Sequence, residues 1–163
     1  MPVVSNTSPL LNLAIIGQLS LLNEQFGAIF IPPTVHEELR VENDLPGSRG
    51  IREAIGAGWI QIEEVKDKPF VKVLQRELDK GEAETIALGL QTGAEWALLD
   101  EREGRRVAKS LGLRVTGVLG ILLRARREGK LVSLQEVMQD LREKAGFHIR
   151  AELLTEVLKE ESN

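Results

Sequence analysis

The chain has 163 residues, 42% of them hydrophobic and 28% charged, with a net charge of −4 and no cysteine. These values are typical of a single globular domain with a buried core, and they exclude disulfides and thiolate metal sites. No run of about 18 apolar residues occurs, so we expect no membrane span and a cytoplasmic protein.

Short β-branched runs alternate with helical patterns along the chain, which is typical of an α/β fold with a mainly parallel sheet. The pattern predicts five strands, at residues 1–5, 28–31, 59–62, 97–99 and 113–116. Helical spacing is found at residues 8–22, 34–41, 52–57, 70–79, 82–91, 102–111, 117–128, 133–144 and 149–160. Gly81 is expected to end the helix before it, and the polar residues 42–49 to form a surface loop.

The last part of the chain carries an apolar stripe on two helical faces. Its members are Leu134, Val137, Met138, Leu141, Leu153, Leu154, Val157 and Leu158. We expect residues 1–130 to form the main domain and residues 131–163 a helical extension packed on it. Pairing of the stripe with a second subunit or with a partner helix stays open.

Polar side chains follow the first and fourth predicted strands. Asn6 follows the first strand, and Asp100 and Glu101 follow the fourth. The carboxyl ends of parallel strands are where ligands collect, near a switch in strand order. Two helical pairs, Glu37 with Glu38 and Glu82 with Glu84, can each turn one carboxylate towards the same pocket, because helical neighbours differ by about 100° in direction.

A cluster of acids at one place predicts a binding site for a hard divalent cation. Their mutual repulsion would be costly unless Mg²⁺ or Mn²⁺ neutralised it, and two histidines are too few for a histidine-rich zinc site. The alternative is structural, because the helix dipole alone favours acids such as Glu82 and Glu84 in a first turn.

Five segments in order resemble the PIN-like proteins of the DUF3368 group, which are related to the ribonuclease toxins of VapBC-type toxin–antitoxin pairs. They are VVSNTSPL at 3–10, IPPTVHEEL at 31–39, GEAETIAL at 81–88, LLDER at 98–102 and VTGVLG at 115–120. The resemblance covers about residues 3–130. It implies a three-layer α/β fold with about five parallel strands between helices, and an endoribonuclease that needs Mg²⁺ or Mn²⁺. It also implies RNA as substrate, a small antitoxin as partner, and a homodimer.

The resemblance also implies a set of site residues. The metal-binding positions fall at Asn6, Glu38, Glu82 and Asp100, with Glu84 and Glu101 as supplementary ligands. Glu38, Glu82 and Asp100 would surround the metal and orient an attacking water as the catalytic acids. The accessory and substrate-binding positions are Thr7, Ser8, Arg102, Arg105 and Thr116.

Asn6 departs from the family pattern, which places an aspartate at this position. An amide oxygen can bind a hard cation but carries no charge and cannot act as a base. A PIN-like module with weak or no cleavage is therefore the alternative function, and a turn residue that caps the next helix is the structural alternative. A basic cluster follows the fourth strand, at Arg102, Arg105, Arg106 and Lys109. It is a candidate for binding RNA phosphates, and the alternative is a solvated helix face with ion pairs one turn apart.

Overall fold

The computed structural model describes residues 2–162, without the side chains of residues 151, 157, 158 and 160–162. Met1, predicted to begin the first strand, and the side chains of Val157 and Leu158, predicted to continue the apolar stripe, lie outside the described residues.

Within residues 2–162 the chain forms five three-residue strands, which are connected by helices, and ten α-helices in all. The strands are β1 Val3–Ser5, β2 Ile29–Ile31, β3 Ile60–Ile62, β4 Trp96–Leu98 and β5 Arg114–Thr116. The helices are α1 Thr7–Ile15, α2 Ser20–Phe26, α3 Pro33–Leu39, α4 Ser48–Gly56, α5 Lys68–Leu74, α6 Lys80–Thr92, α7 Arg102–Ser110, α8 Val118–Arg127, α9 Leu134–Lys144 and α10 Ala151–Ser162. A short 3-10 helix, Val41–Asn43, follows α3.

All five strands are parallel, in the order β3-β2-β1-β4-β5. Val3 pairs with Ile29 on one side and with Trp96 on the other. The chain therefore moves outward from β1 to β2 and β3, and then crosses back to place β4 on the other side of β1. The carboxyl ends of β1 and β4, where the strand order switches, are therefore the expected place for a binding site.

Apolar residues of the strands alternate between two cores, one on each face of the sheet. Val3 belongs to the larger core, which includes helices α1, α4, α8 and α9, whereas its neighbour Val4 belongs to a second core with α5, α6 and α7. This alternation follows from the two-residue period of a strand. Helices thus cover both faces, and the predicted three-layer α/β fold with a five-stranded parallel sheet is confirmed.

The predicted boundary at Gly81 is wrong. Helix α5 ends at Leu74, and α6 begins at Lys80, so Gly81 lies inside its first turn. The Asp79 side chain caps α6, which allows the helix to start before the glycine. The predicted loop at 42–49 contains part of the 3-10 helix, and α4 begins within it, at Ser48.

Helix α9 supplies three fully buried side chains to the larger core. Leu134, Met138 and Leu141 lie in the same cluster as Leu10 and Leu13 of α1. Among the described residues, no helix is long and apolar enough to cross a membrane.

Candidate active site

Asn6 directly follows β1, at the carboxyl end of the strand. Its backbone is extended, its N–H donates to the Leu98 carbonyl at 3.1 Å, and its side chain makes no capping hydrogen bond to α1. The residue is 6% exposed, and its buried Oδ1 accepts from no donor among residues 2–162. The structural alternative of a helix-capping amide is therefore not what is found. Because an unsatisfied buried acceptor costs about 1–3 kcal/mol, this oxygen is suited to a ligand.

Glu38 reaches the same place from α3. The Thr7 hydroxyl donates to its Oε2 at 2.6 Å. A Cβ on Gly81 would lie 2.7 Å from Oε1 of Glu38 and 3.2 Å from Oδ1 of Asn6. The two oxygens therefore converge on the space above Gly81, which any side chain there would fill.

Asp100 is held from the first turn of α1 and from the start of α8. The Ser8 hydroxyl donates to its Oδ2 at 3.1 Å, and the Val118 N–H at the start of α8 donates to its Oδ1 at 2.8 Å. Asn12 in turn donates to the Ser8 hydroxyl at 3.0 Å. Burial raises the pKa of Asp100 above its ordinary value, against the opposing effect of these hydrogen bonds and of the Arg105 charge. Consecutive hydroxyls, on Thr7 and Ser8, thus hold Glu38 and Asp100.

Glu82 has a structural role that uses only one of its oxygens. It forms a capping box with Asp79, in which Oε1 accepts from the Asp79 N–H at 3.4 Å and its own N–H donates to Asp79 at 2.8 Å. The other oxygen, Oε2, is buried without a donor among the described residues and would lie 2.6 Å from a Cβ on Gly104. Burial raises the pKa of Glu82 to about 7, and the Asp79 and Glu101 charges add to the increase. Helix capping therefore explains Oε1 but not Oε2.

The two supplementary acids differ in their surroundings. Glu84 accepts from the Thr34 N–H at 3.3 Å and from the Thr34 hydroxyl at 3.0 Å, so both its oxygens satisfy the start of α3. Glu101 is exposed at the N-cap of α7, where its charge raises the pKa of both Glu82 and Asp100. The negative charge of Glu101 therefore acts on both Glu82 and Asp100.

Within residues 2–162, no three Asp, Glu or His side chains lie close enough together to hold a metal ion by themselves. The convergent pair includes the amide oxygen of Asn6, and two oxygens at the site are buried without a donor. A hard divalent cation binds oxygen ligands, and a buried oxygen that accepts no hydrogen bond is free to bind one. The residues thus fit such an ion, whereas the ligand roles of Glu38, Glu82, Glu84, Asp100 and Glu101 stay predictions.

A cleft of about 1050 Å³ lies beside Asp100, which is part of its lining. Arg102, Arg105 and Thr116, the predicted accessory residues on this side, also line it. The Arg105 guanidinium donates to the Leu99 carbonyl at 3.0 Å, and no side-chain ion pair with Glu101 occurs in the described structure. The acids Glu38 and Glu82 are not among the lining residues of the cleft.

Several neighbours of the site were not predicted. Asp79 could have been found from the Asp79-x-x-Glu82 spacing of a capping box, and Asn12 from its position one helical turn after Ser8. Gly81 and Gly104 have no sequence signal, because their role is to leave space for acids distant in the chain. The same holds for Phe147 and His148, which line the cleft from the C-terminal part of the chain.

The fold and the site together define a three-layer α/β protein with acidic and amide oxygens at the switch point of a parallel sheet. The family model DUF3368, described as a PIN domain, matches residues 2–163, and the chain therefore belongs to this family of PIN domains. The match confirms the predicted family and extends beyond residue 130 to the C-terminal helices. No curated protein matches the chain.

Proposed function

We propose that this protein is a metal-dependent endoribonuclease of the PIN type. The observation that carries the proposal is that the Thr7 and Ser8 hydroxyls, which directly follow the unsatisfied Asn6 oxygen in the chain, hold Glu38 and Asp100 by hydrogen bonds. Side-chain oxygens from three distant parts of the chain are thereby linked to the residues that follow β1. Membership of a PIN-domain family supports a nuclease fold and an RNA substrate.

Asn6 and Glu38 would hold a Mg²⁺ or Mn²⁺ ion, with Glu82 and Asp100 as the further acids. When bound, the ion would lower the pKa of a water molecule and stabilise charge on a phosphate. Burial raises the pKa of Glu82 to about 7 in the metal-free protein, and its free oxygen would be available to orient the water. Thr7 and Ser8 would keep Glu38 and Asp100 in position, and Thr116, Arg102 and Arg105 would contact the RNA.

We further propose that the nuclease is the toxin of a cytoplasmic toxin–antitoxin pair and acts as a homodimer. The support is the resemblance of its five segments to the relatives of VapBC-type toxins. Co-expression with the product of a short neighbouring reading frame tests this role. Co-purification and relief of growth arrest would support it, and growth unaffected by the protein alone would contradict it.

Cleavage of a labelled RNA in Mn²⁺ or Mg²⁺ tests the nuclease directly. Asp100→Asn and Glu38→Gln should each lower the rate at least 100-fold, in the range of lost acid–base or electrostatic contributions. Glu37→Gln is the matched control, because Glu37 is the exposed neighbour of Glu38 on α3 and its side chain makes no hydrogen bond or ion pair among the described residues. Equal rates in Glu38→Gln and Glu37→Gln, with both variants folded, would remove Glu38 from the mechanism.

Asn6 favours a second candidate function, a PIN-like module that binds RNA or a regulator without cutting. The neutral amide takes one negative charge from the ligand set, which weakens the attraction for a cation. Calorimetry with Mn²⁺ on the wild type and on Asn6→Asp distinguishes the two functions. Tight binding and RNA cleavage by the wild type would exclude the inactive module, and cleavage gained only in Asn6→Asp would support it.

A further inference from the structure

We infer that Asn12 is a positioning residue for the proposed reaction, because it directs the Ser8 hydroxyl proton towards the Asp100 carboxylate. The inference rests on the proposed function and adds to it a residue one helical turn away from the hydroxyls that hold the acids. Two consecutive hydrogen bonds carry the effect, from the Asn12 amide to Ser8 and from Ser8 to Asp100.

Asn12 stands in an apolar stretch of α1. It lies between Leu11 and Leu13 and is the one polar residue of this helix after Ser8. Asparagine is disfavoured inside helices, because its side chain competes for backbone hydrogen bonds. Its Nδ2 instead donates to the Ser8 Oγ at 3.0 Å, one turn earlier on the same helix face. The half-buried amide therefore has a specific partner, which helix formation alone does not require.

The Ser8 hydroxyl has a single proton, and Asn12 determines its direction. The Asn12 amide donates to a lone pair of the Ser8 oxygen, so the Ser8 proton points away from Asn12. The atom that receives this proton is Oδ2 of Asp100, at 3.1 Å. Without the amide the hydroxyl would be free to rotate and to donate to water. The constant donor at Asp100 thus depends on Asn12.

Asp100 is placed closely enough for this donor to matter. Its Oδ1 accepts from the Val118 N–H at 2.8 Å and occupies the space that a Cβ on Gly117 would need. Its Oδ2 is held by Ser8. Loss of the Ser8 hydrogen bond would leave the carboxylate anchored at Oδ1 and let Oδ2 move. Small displacements of a reacting group lower the rate of the chemical step more than they lower binding.

Steady-state cleavage of a labelled RNA at saturating Mn²⁺ tests the role of Asn12. Asn12→Ala should lower kcat about 3- to 10-fold and change KM less than about twofold, because one hydrogen bond near the acid is weakened. Asn12→Asp keeps the shape but can only accept, so it would draw the Ser8 proton away from Asp100 and should lower kcat further than Asn12→Ala. Asn23→Ala is the matched control and should leave both constants unchanged, because Asn23 is an exposed asparagine of α2 that donates to the Gly27 carbonyl.

The effect of Asn12 should pass through Ser8. Ser8→Ala should lower kcat at least as far as Asn12→Ala does, and adding Asn12→Ala to it should change kcat less than about twofold further. Two results would overturn the inference, because each would show that Asn12 only supports the helix. One is additive loss in the double variant, and the other is a milder loss in Asn12→Asp than in Asn12→Ala.

Nuclear magnetic resonance of the Val118 amide tests the same connection without cleavage. This N–H donates to Asp100, so a displaced carboxylate changes its chemical shift. In EDTA, Asn12→Ala should move the Val118 signal in the same direction as Ser8→Ala, and Asn23→Ala should leave it in place. An unmoved signal in folded Asn12→Ala would overturn the inference even if RNA is cleaved. A moved signal together with no cleavage by the wild type in Mn²⁺ would contradict the nuclease and not the control of Asp100 by Asn12.

Discussion

Glu82→Gln should change how the stability of the metal-free protein depends on pH. Burial and the neighbouring Asp79 and Glu101 charges raise the pKa of Glu82 from 4.5 to about 7. Between these two pH values the folded protein keeps a proton that the unfolded chain has lost. The free energy of unfolding therefore falls as pH rises from about 4.5 to 7, and this contribution levels off above pH 7.

The size of the effect follows from the shift. Each pKa unit corresponds to about 1.4 kcal/mol, so a rise from 4.5 to about 7 gives an upper limit of about 3.5 kcal/mol, most of it between pH 5 and pH 8. The effective dielectric constant around protein carboxylates is higher than that of a dry interior, which lowers this value, so we expect about 1–2 kcal/mol. Glutamine does not titrate, and the free energy of unfolding of Glu82→Gln relative to wild type should be larger at pH 8 than at pH 5 by that amount.

Urea denaturation at pH 5 and pH 8 in EDTA measures this difference. Comparing the two pH values removes any constant cost of fitting the amide into the site. Glu37→Gln, an exposed change on α3, should show the same offset from wild type at both pH values. A pH-independent offset for Glu82→Gln, or greater relative stability at pH 5, would refute the argument that burial strains the ionised carboxylate.

Two further substitutions test the site and the core. Gly81→Ala would place a methyl group 2.7 Å from Oε1 of Glu38, so isothermal calorimetry should show at least tenfold weaker Mn²⁺ binding with no loss of melting temperature, since alanine favours a helix. Gly56→Ala, with open space around it, should leave Mn²⁺ affinity unchanged, and equal affinity in both variants would contradict the close approach. We propose that residues 131–163 belong to the same folding unit as residues 1–130. Met138→Ala should then lower the free energy of unfolding by about 2–5 kcal/mol and leave a single cooperative transition. The exposed Val132→Ala is the control and should lower it by less than about 0.5 kcal/mol. A separate early transition for Met138→Ala would contradict a single unit.

Features that depend on local sequence were predictable. The five strands are found within two residues of the predicted runs. In β4, Ala97 and Leu98 are both fully buried, as expected of a central strand that is covered on both faces. The placement of Asn6 and Asp100 at one edge also follows, since parallel strands end at the same edge of a sheet.

Features that depend on contacts between distant residues were not predictable. Gly81 looks like a helix terminator in the sequence, yet it lies within α6, where it leaves room for Glu38. The second role of Glu82 was also hidden, because only the fold shows which of its oxygens the capping box uses. The cleft is lined by both α7 and Phe147, which are about 40 residues apart in the chain. No short-range sequence pattern predicts that two such distant segments line one cleft.

The central claim is that Asn6 and Glu38 form the core of a metal site at the end of β1. A crystal structure of the Mn²⁺-soaked protein, with anomalous scattering used to locate the ion, tests it most directly. We predict an anomalous peak in contact with Asn6 Oδ1 and the Glu38 carboxylate, absent from crystals of Glu38→Gln. A peak elsewhere on the protein, or none at saturating Mn²⁺, would contradict the claim.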